Sequence, residues 1–281
     1  MGGLDLDAFK AKVLAEGAAC YRDLPWRNTR DPYAVLLSEV MLQQTQVARV
    51  DGRWQRWLEM FPTPEVLAAA PLSAVLAEWQ GMGYNRRAVN LQRCAQAIVS
   101  EHDGVVPQDF DALLALPGVG PATAAGVRAF AFDEPGVYLE TNVRTVFLHE
   151  LFAGQDSVTD AALKPLVKAT CPQAGHVREW YYALLDYGAY LKSVLPNPSR
   201  RSKHHSVQSK FEGSHRQKRA YVLRRLLEAP ADAGQLLEDL NAFEASAERE
   251  AVAIDDVEQI LAELACEGFI EVSGAVWQCK E

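Results

Sequence analysis

Leu116-Pro117-Gly118-Val119-Gly120 separates two stretches of helix-like apolar spacing. Two glycines permit a tight turn and let the backbone come close to a ligand, and a helix opening at Pro121 presents amides without intrahelical partners at its positive end. That chemistry suits a phosphate; an ordinary αα-hairpin turn is the other reading these five residues allow. A second charged feature lies downstream, where ten Lys/Arg between Lys192 and Arg225 face one acid, Glu212, for a local charge of +9 with three further histidines. Such a stretch either contacts phosphates or serves as a solvated basic linker. The five cysteines, at 20, 94, 171, 266 and 279, are odd in number and show no CxxC or other ligand spacing. They predict free thiols, with neither a disulfide framework nor a zinc site.

These features belong to a chain of 281 residues, long enough for one large domain or a core with a small companion. With 49% hydrophobic and 23% charged residues and a mean hydropathy of −0.12, a mostly disordered chain is excluded. No apolar run approaches the ~20 residues of a bilayer crossing, so no membrane partner is expected. The first residues carry an early acid, Asp5, and no basic segment, which argues against a secretory signal and for a cytoplasmic location. The net charge of −9 hides an asymmetry: Glu228 to Glu281 holds fourteen acids against two bases, leaving +3 on residues 1–227.

Apolar residues recur at three-to-four spacing with short Gly/Pro punctuation through most of the chain, which predicts an all-α core. Asp31-Pro32 reads as a cap followed by a first-turn proline, opening an amphipathic helix from Tyr33 to about Gln46. Thr63-Pro64 repeats the signal for a short helix to Ala70. Further helices fit Leu72–Gln80, Arg86–Glu101, Asp109–Ala115, Pro121–Phe130, Asn142–Leu151, Asp160–Thr170 and His176–Leu191. From about Ser214 the pattern changes to helices Arg216–Leu227, Ala233–Leu240 and Asp255–Glu267, then two short strands, Phe269–Val272 and Ala275–Cys279, around Ser273-Gly274. The expected organisation is a helical domain over 1–213 and an acidic winged-helix-like α+β unit over 214–281, the latter suited to packing or to a protein partner.

The glycine turn keeps company with Leu24-Pro25-Trp26-Arg27, Ser38-Glu39-Val40-Met41-Leu42-Gln43-Gln44-Thr45-Gln46-Val47 and Gly81-Met82-Gly83-Tyr84. Together these motifs, from about Leu24 to Tyr190, resemble the helix-hairpin-helix DNA glycosylases of the endonuclease III and MutY-type adenine glycosylase kind. The resemblance implies a two-lobed helical fold with a DNA-binding cleft, and it makes Glu39 the acid that protonates the departing base. A Glu on a helix face among Leu37, Val40 and Met41 is suited to that task, because partial burial raises its pKa. The second carboxylate, normally an aspartate, falls on Glu140, with Asn142 orienting it; Asn142 is equally a helix cap. Tyr84 resembles the wedge that enters the base stack when a nucleotide is flipped out. Gln43 and Gln44 would lie near the resulting gap, Trp26 and Tyr33 would line the pocket, and Gly118, Val119, Gly120 and Thr123 would form the phosphate-binding hairpin.

Three departures from the family pattern shape the expected activity. Ala122 stands where lyase members carry a lysine, so no amine is placed for a Schiff base and a monofunctional glycosylase is implied. No cysteine follows the helix ending near Leu191, so the four ligands of the iron–sulfur cluster that many relatives hold are missing and no cofactor is expected. The segment Asn197 to His205, with Arg200, Arg201 and Lys203, is read as a phosphate-contacting replacement. The C-terminal domain with which MutY-type enzymes recognise 8-oxoguanine is also replaced. The resulting expectation is a base-excision-repair enzyme acting as a monomer on mismatched or damaged double-stranded DNA in the cytoplasm, at the nucleoid. Adenine opposite guanine or 8-oxoguanine is the leading substrate; thymine, uracil or another damaged base, or a non-catalytic damage-binding role, are the alternatives.

Overall fold

The computed structural model describes residues 5–203 and 210–281; His204 and His205, named above, lie outside them. In chain order the helices are α1 (Leu6–Ala19), α2 (Pro32–Leu42), α3 (Val47–Val50), α4 (Arg53–Met60), α5 (Pro64–Ala69), α6 (Leu72–Glu78), α7 (Arg86–Glu101), α8 (Phe110–Ala115), α9 (Pro121–Phe132), α10 (Thr141–Leu151), α11 (Asp160–Thr170) and α12 (Val177–Val194). Then come α13 (His215–Glu228), α14 (Ala233–Ser246), α15 (Ile254–Cys266), β1 (Ile270–Ser273) and β2 (Val276–Cys279). Single 3-10 turns cover Pro25–Arg27 and Pro198–Arg201. The chain divides into two compact units, Met1–Met60 with Ser100–Val207 and Phe61–Val99 with Gln208–Glu281. The second unit thus gathers α5, α6 and most of α7 with the C-terminal helices, an excursion that sequence reading did not anticipate.

In the first unit, α2 is buried on nearly all sides, from Tyr33 to Ser38 and at Val40 and Met41, as befits a helix with almost no polar face. Asp31 caps it by accepting from the Tyr33 and Ala34 amides, and Pro32 occupies the first position. The helix stops at Leu42, four residues earlier than expected, because Gln43 is already extended and Gln44 is left-handed at φ 53°. Helices α10 and α12 form the centre of this unit, with Phe147, Val146, Trp180 and Tyr181 buried against Phe9 and Val13 of α1. The α1 helix, which Asp5 caps, and the short helices α3 and α4 are not among the expected elements. Two glycines set close approaches on α12: a side chain at Gly17 would meet Ala183, and one at Gly188 would stand 2.9 Å from the Asn142 Cα.

In the second unit, α13, α14 and α15 pack around Val222, Leu223, Leu236, Leu240, Ile260 and Leu264. The strands pair antiparallel with Ile270 opposite Cys279 and Ser273 opposite Val276, and Ala231 adds a bridge to Trp277. Gly274, at φ 66°, makes the turn between them. The α14 helix runs to Ser246, six residues beyond the expected Leu240, and near its end a buried Glu244 receives two bonds from Arg249. Among the described residues no helix is long and apolar enough to cross a membrane.

Candidate active site

The site lies wholly in the first unit and is built where α2, α9 and the start of α10 meet. Because α2 is otherwise apolar, its one carboxylate, Glu39, is carried inward with the hydrophobic face. The residue as a whole is half-buried, but its carboxyl is enclosed by α9 and by Tyr138, to whose hydroxyl it is hydrogen-bonded. Room for it comes from Gly126 in the middle of α9: a Cβ there would stand 2.8 Å from Glu39 Cδ and 2.9 Å from Tyr138 Cε2. Burial pushes the Glu39 carboxyl up to about 8, against the Tyr138 hydrogen bond that lowers it and with the nearby charge of Glu140 adding to the rise.

Glu140 is the N-cap of α10. Its Oε1 accepts from the Asn142 amide at 2.6 Å and the Val143 amide at 3.0 Å, which fixes the carboxylate at the positive end of the helix. Burial raises its pKa, opposed by these amides and by Lys192 and Arg144. The Asn142 side-chain amide donates weakly to Oε2 at 3.5 Å, and its own Oδ1 is buried without a protein partner. Both carboxylates and Asn142 line one cavity of about 130 Å³, with Trp26, Arg27, Leu42, Tyr138 and Tyr182 among its walls. That is below the range of drug-sized ligand sites and suits a single ring system.

The expected site residues divide accordingly. Trp26 lines the cavity, edge-to-face with Trp54. Tyr33 is buried but is not part of the cavity wall; six residues before Glu39, it lies roughly a third of a turn away around α2. In the hairpin, Gly118 takes φ 77°, Gly120 caps α9 with open space around it, and the Val119 side chain is buried while its amide donates to Leu116. Val119 therefore shapes the turn from within. Thr123 is buried and accepts from Gln43 Nε2 at 3.0 Å, joining the end of α2 to the start of α9; Gln44 is exposed. Arg200 and Lys203 are exposed. Arg201 instead points into the fold, donating to the Leu148 and Phe152 carbonyls at 2.8 Å each, so it closes the C-terminal end of α10. Tyr84 belongs to the second unit, where it is exposed on its glycine turn.

Sequence reading missed the supports. Arg27 and Asp186 form a buried bidentate pair at 2.7 and 2.8 Å, and Arg22 adds a third bond at 2.6 Å; this holds the Pro25–Arg27 turn on α12 as a cavity wall. Tyr138 and Gly126 were also passed over, although a glycine inside a helix costs about 1 kcal/mol against alanine and so signals a close approach. The segment after α12 supplies no thiolate for a four-cysteine cluster: its 3-10 turn is capped by Asn197 Oδ1, which accepts from Ser199 N and Oγ. Among the described residues no group of three His, Cys, Asp or Glu side chains is placed to hold a metal.

Residues 37–169 match the family described as HhH-GPD superfamily base excision DNA repair protein. The adenine DNA glycosylase of Mycolicibacterium smegmatis is 41% identical over 169 residues, 60% of this chain and 58% of that one. The adenine DNA glycosylase of Mycobacterium tuberculosis is 39% identical over 180 residues, 63% of this chain and 59% of that one; the chain thus spans under three fifths of either relative. The thymine/uracil-DNA glycosylase of Methanothermobacter thermautotrophicus is 30% identical over 174 residues, which cover 60% of this chain and 78% of that relative. Among solved structures, a thermostable thymine-DNA glycosylase superposes with a TM-score of 0.60 at 26% identity, over 70% of this chain and 90% of that one. A trapped endonuclease III–DNA covalent intermediate gives 0.53 at 26%, over 67% and 86%. Fold, motifs and relatives agree that this chain belongs to the HhH-GPD superfamily of base excision DNA repair proteins.

Proposed function

We propose that the chain is a monofunctional DNA glycosylase of base excision repair that removes a flipped-out base by hydrolysis, with adenine opposite guanine or 8-oxoguanine as its leading substrate. The observation that carries this reading is a carboxyl group, Glu39, whose pKa is pushed up to about 8 and which shares a ring-sized cavity with a second carboxylate anchored on helix amides. A leaving purine needs a proton, and Glu39 holds one at neutral pH. As the bond from C1′ to the base nitrogen breaks, its electron pair goes to the base, which takes the Glu39 proton. Glu140 faces the cationic sugar that develops and stabilises it electrostatically. Water then adds to C1′ and returns a proton to Glu39. The unpartnered Asn142 Oδ1 offers a hydrogen-bond acceptor in the same cavity.

The adenine preference is supported by the mycobacterial relatives named above. Removal of thymine or uracil is the second reading: the glutamate at position 140 loosens the link to adenine, and the archaeal relative, of which this chain covers the larger share, favours it. Duplexes carrying adenine, thymine, uracil or damaged purines against each opposite base, assayed for alkali-labile abasic sites, separate the two. No abasic site on any duplex would leave only the binding role.

The enzyme is proposed to act as a monomer on mismatched or damaged double-stranded DNA, at the nucleoid in the cytoplasm. It is further proposed to work without an iron–sulfur cluster; iron analysis of the purified protein tests this, and stoichiometric iron would overturn it. The residues from 214 onward are proposed as a winged-helix-like unit with a protein partner for their acidic surface, which pull-down with and without them would test.

A further inference from the structure

Tyr84 does not stand on its loop unsupported. Its backbone is left-handed at φ 51°, a conformation that bulky side chains rarely adopt, in a turn where Gly81 and Gly83 are left-handed as well. Trp79 Nε1 donates to the Gly83 carbonyl at 3.1 Å, and Arg87 donates to the Met82 and Gly83 carbonyls at 3.2 and 3.1 Å while lying over the Trp79 ring. The ring of Tyr84 is then met by two guanidinium groups, that of Arg87 at 5.8 Å and that of Arg216 at 5.9 Å from its centroid. Arg216 also donates from Nη1 to the Tyr84 hydroxyl at 3.1 Å.

Arg216 sits in the first turn of α13, behind the Ser214 cap. A cation there opposes the helix dipole, so local helix energetics do not explain it. Its neighbours hold that turn firmly. His215 and Arg219 both bond Glu263 of α15, at 2.8 and 2.5 Å, and Arg219 reaches Glu267 at 2.7 Å. Glu267 in turn lies 3.9 Å from Arg86, two residues beyond Tyr84. A ladder of charge thus ties α13 and α15 to the turn that carries the tyrosine, with Arg216 directed at its tip.

We propose that Arg216 is a positioning residue for Tyr84: the C-terminal helices fix the attitude of the tyrosine ring, so that it enters the base stack already ordered. This rests on the reading of Tyr84 as the wedge. A ring ordered in advance does not lose its rotamer freedom at the moment of insertion, which favours the opened state of the DNA. The C-terminal unit then acts on base opening through the tyrosine, and its acidic remainder needs no contact with DNA.

The test is a double-substitution cycle on the full chain, with Tyr84→Phe, Arg216→Gln and the pair. A duplex with adenine opposite 8-oxoguanine carries 2-aminopurine beside the adenine, whose fluorescence rises when the stack opens. Each single change is expected to lower the opened fraction about 3–10-fold, in line with a partly exposed hydrogen bond from a charged donor. The pair should be no worse than Arg216→Gln alone, and Arg216→Lys should restore part of the loss. Losses that multiply in the pair, or an Arg216→Gln protein that opens DNA as the parent does, would overturn the proposal. Tyr84→Ala separates this from the underlying reading: an unchanged fluorescence rise there would remove the wedge assignment itself.

Discussion

Replacing Gly126 by alanine adds one methyl group where the structure leaves no room for it. The new Cβ would lie 2.8 Å from Glu39 Cδ and 2.9 Å from Tyr138 Cε2, whereas ordinary contact begins near 3.4 Å. Glu39 is the end of a flexible side chain and can swing toward the cavity, so the fold should tolerate the change. Alanine also favours the interior of α9 by about 0.5–1 kcal/mol, against about 1–3 kcal/mol of overpacking at the Tyr138 ring. The helix gain offsets part of the overpacking, leaving a net destabilisation of about 0–2.5 kcal/mol. Catalysis has no such compensation, because a shift of the proton donor approaching an ångström costs on the order of 10²-fold. Gly126→Ala should therefore fold, bind duplex DNA with parental affinity, and release base about a hundredfold more slowly. Single-turnover base release, thermal melting and fluorescence anisotropy on the same preparation supply the three readings. A Gly126→Ala protein with the parental rate would refute the claim that α9 sets the carboxyl position.

Four further outcomes follow from the same geometry. Because Glu39 must be protonated to act and its pKa lies near 8, the single-turnover rate should fall about tenfold per pH unit above that value; a flat profile to pH 10 would exclude it as the acid. The folded state holds that proton while the unfolded chain releases it near pH 4.5, so this group makes stability decline as pH rises across the window, a component that Glu39→Gln should abolish in urea titrations. Glu140→Asp keeps a good helix cap but withdraws the carboxylate, so activity should drop while the melting temperature holds; higher activity on adenine mismatches would mean that the pocket is still shaped for aspartate. Replacing Arg200 and Lys203, both exposed, should flatten log K against log salt by up to about two units, whereas Arg201→Ala should chiefly lower the melting temperature; the reverse pattern would contradict their placement.

What the sequence disclosed and what it hid have physical reasons. Helix starts marked by Asp31-Pro32, Thr63-Pro64 and Gly120-Pro121 were legible because caps and first-turn prolines act locally. The end of α2 was not, since it depends on Gln43 turning to reach Thr123, eighty residues away. The motif positions Glu39 and Glu140 could be named from resemblance, but not the Gly126 gap or the Tyr138 hydroxyl that set the environment of Glu39. Arg201 looked like its neighbour Arg200 in a basic run, and only the carbonyls at the end of α10 distinguish them. Likewise the joining of residues 61–99 to the C-terminal helices follows from long-range packing and ion pairs that no local pattern announces.

The central claim is that Glu39 delivers the proton that frees the base. Glu39→Gln keeps the size and the hydrogen-bonding capacity of the side chain but cannot protonate a purine. Single-turnover base release by this variant, measured at saturating enzyme on the duplex that the parent cleaves best, tests the claim most directly. A fall of at least about 10²-fold with DNA affinity retained is the expected result; release at the parental rate would contradict the assignment of Glu39 and with it the mechanism.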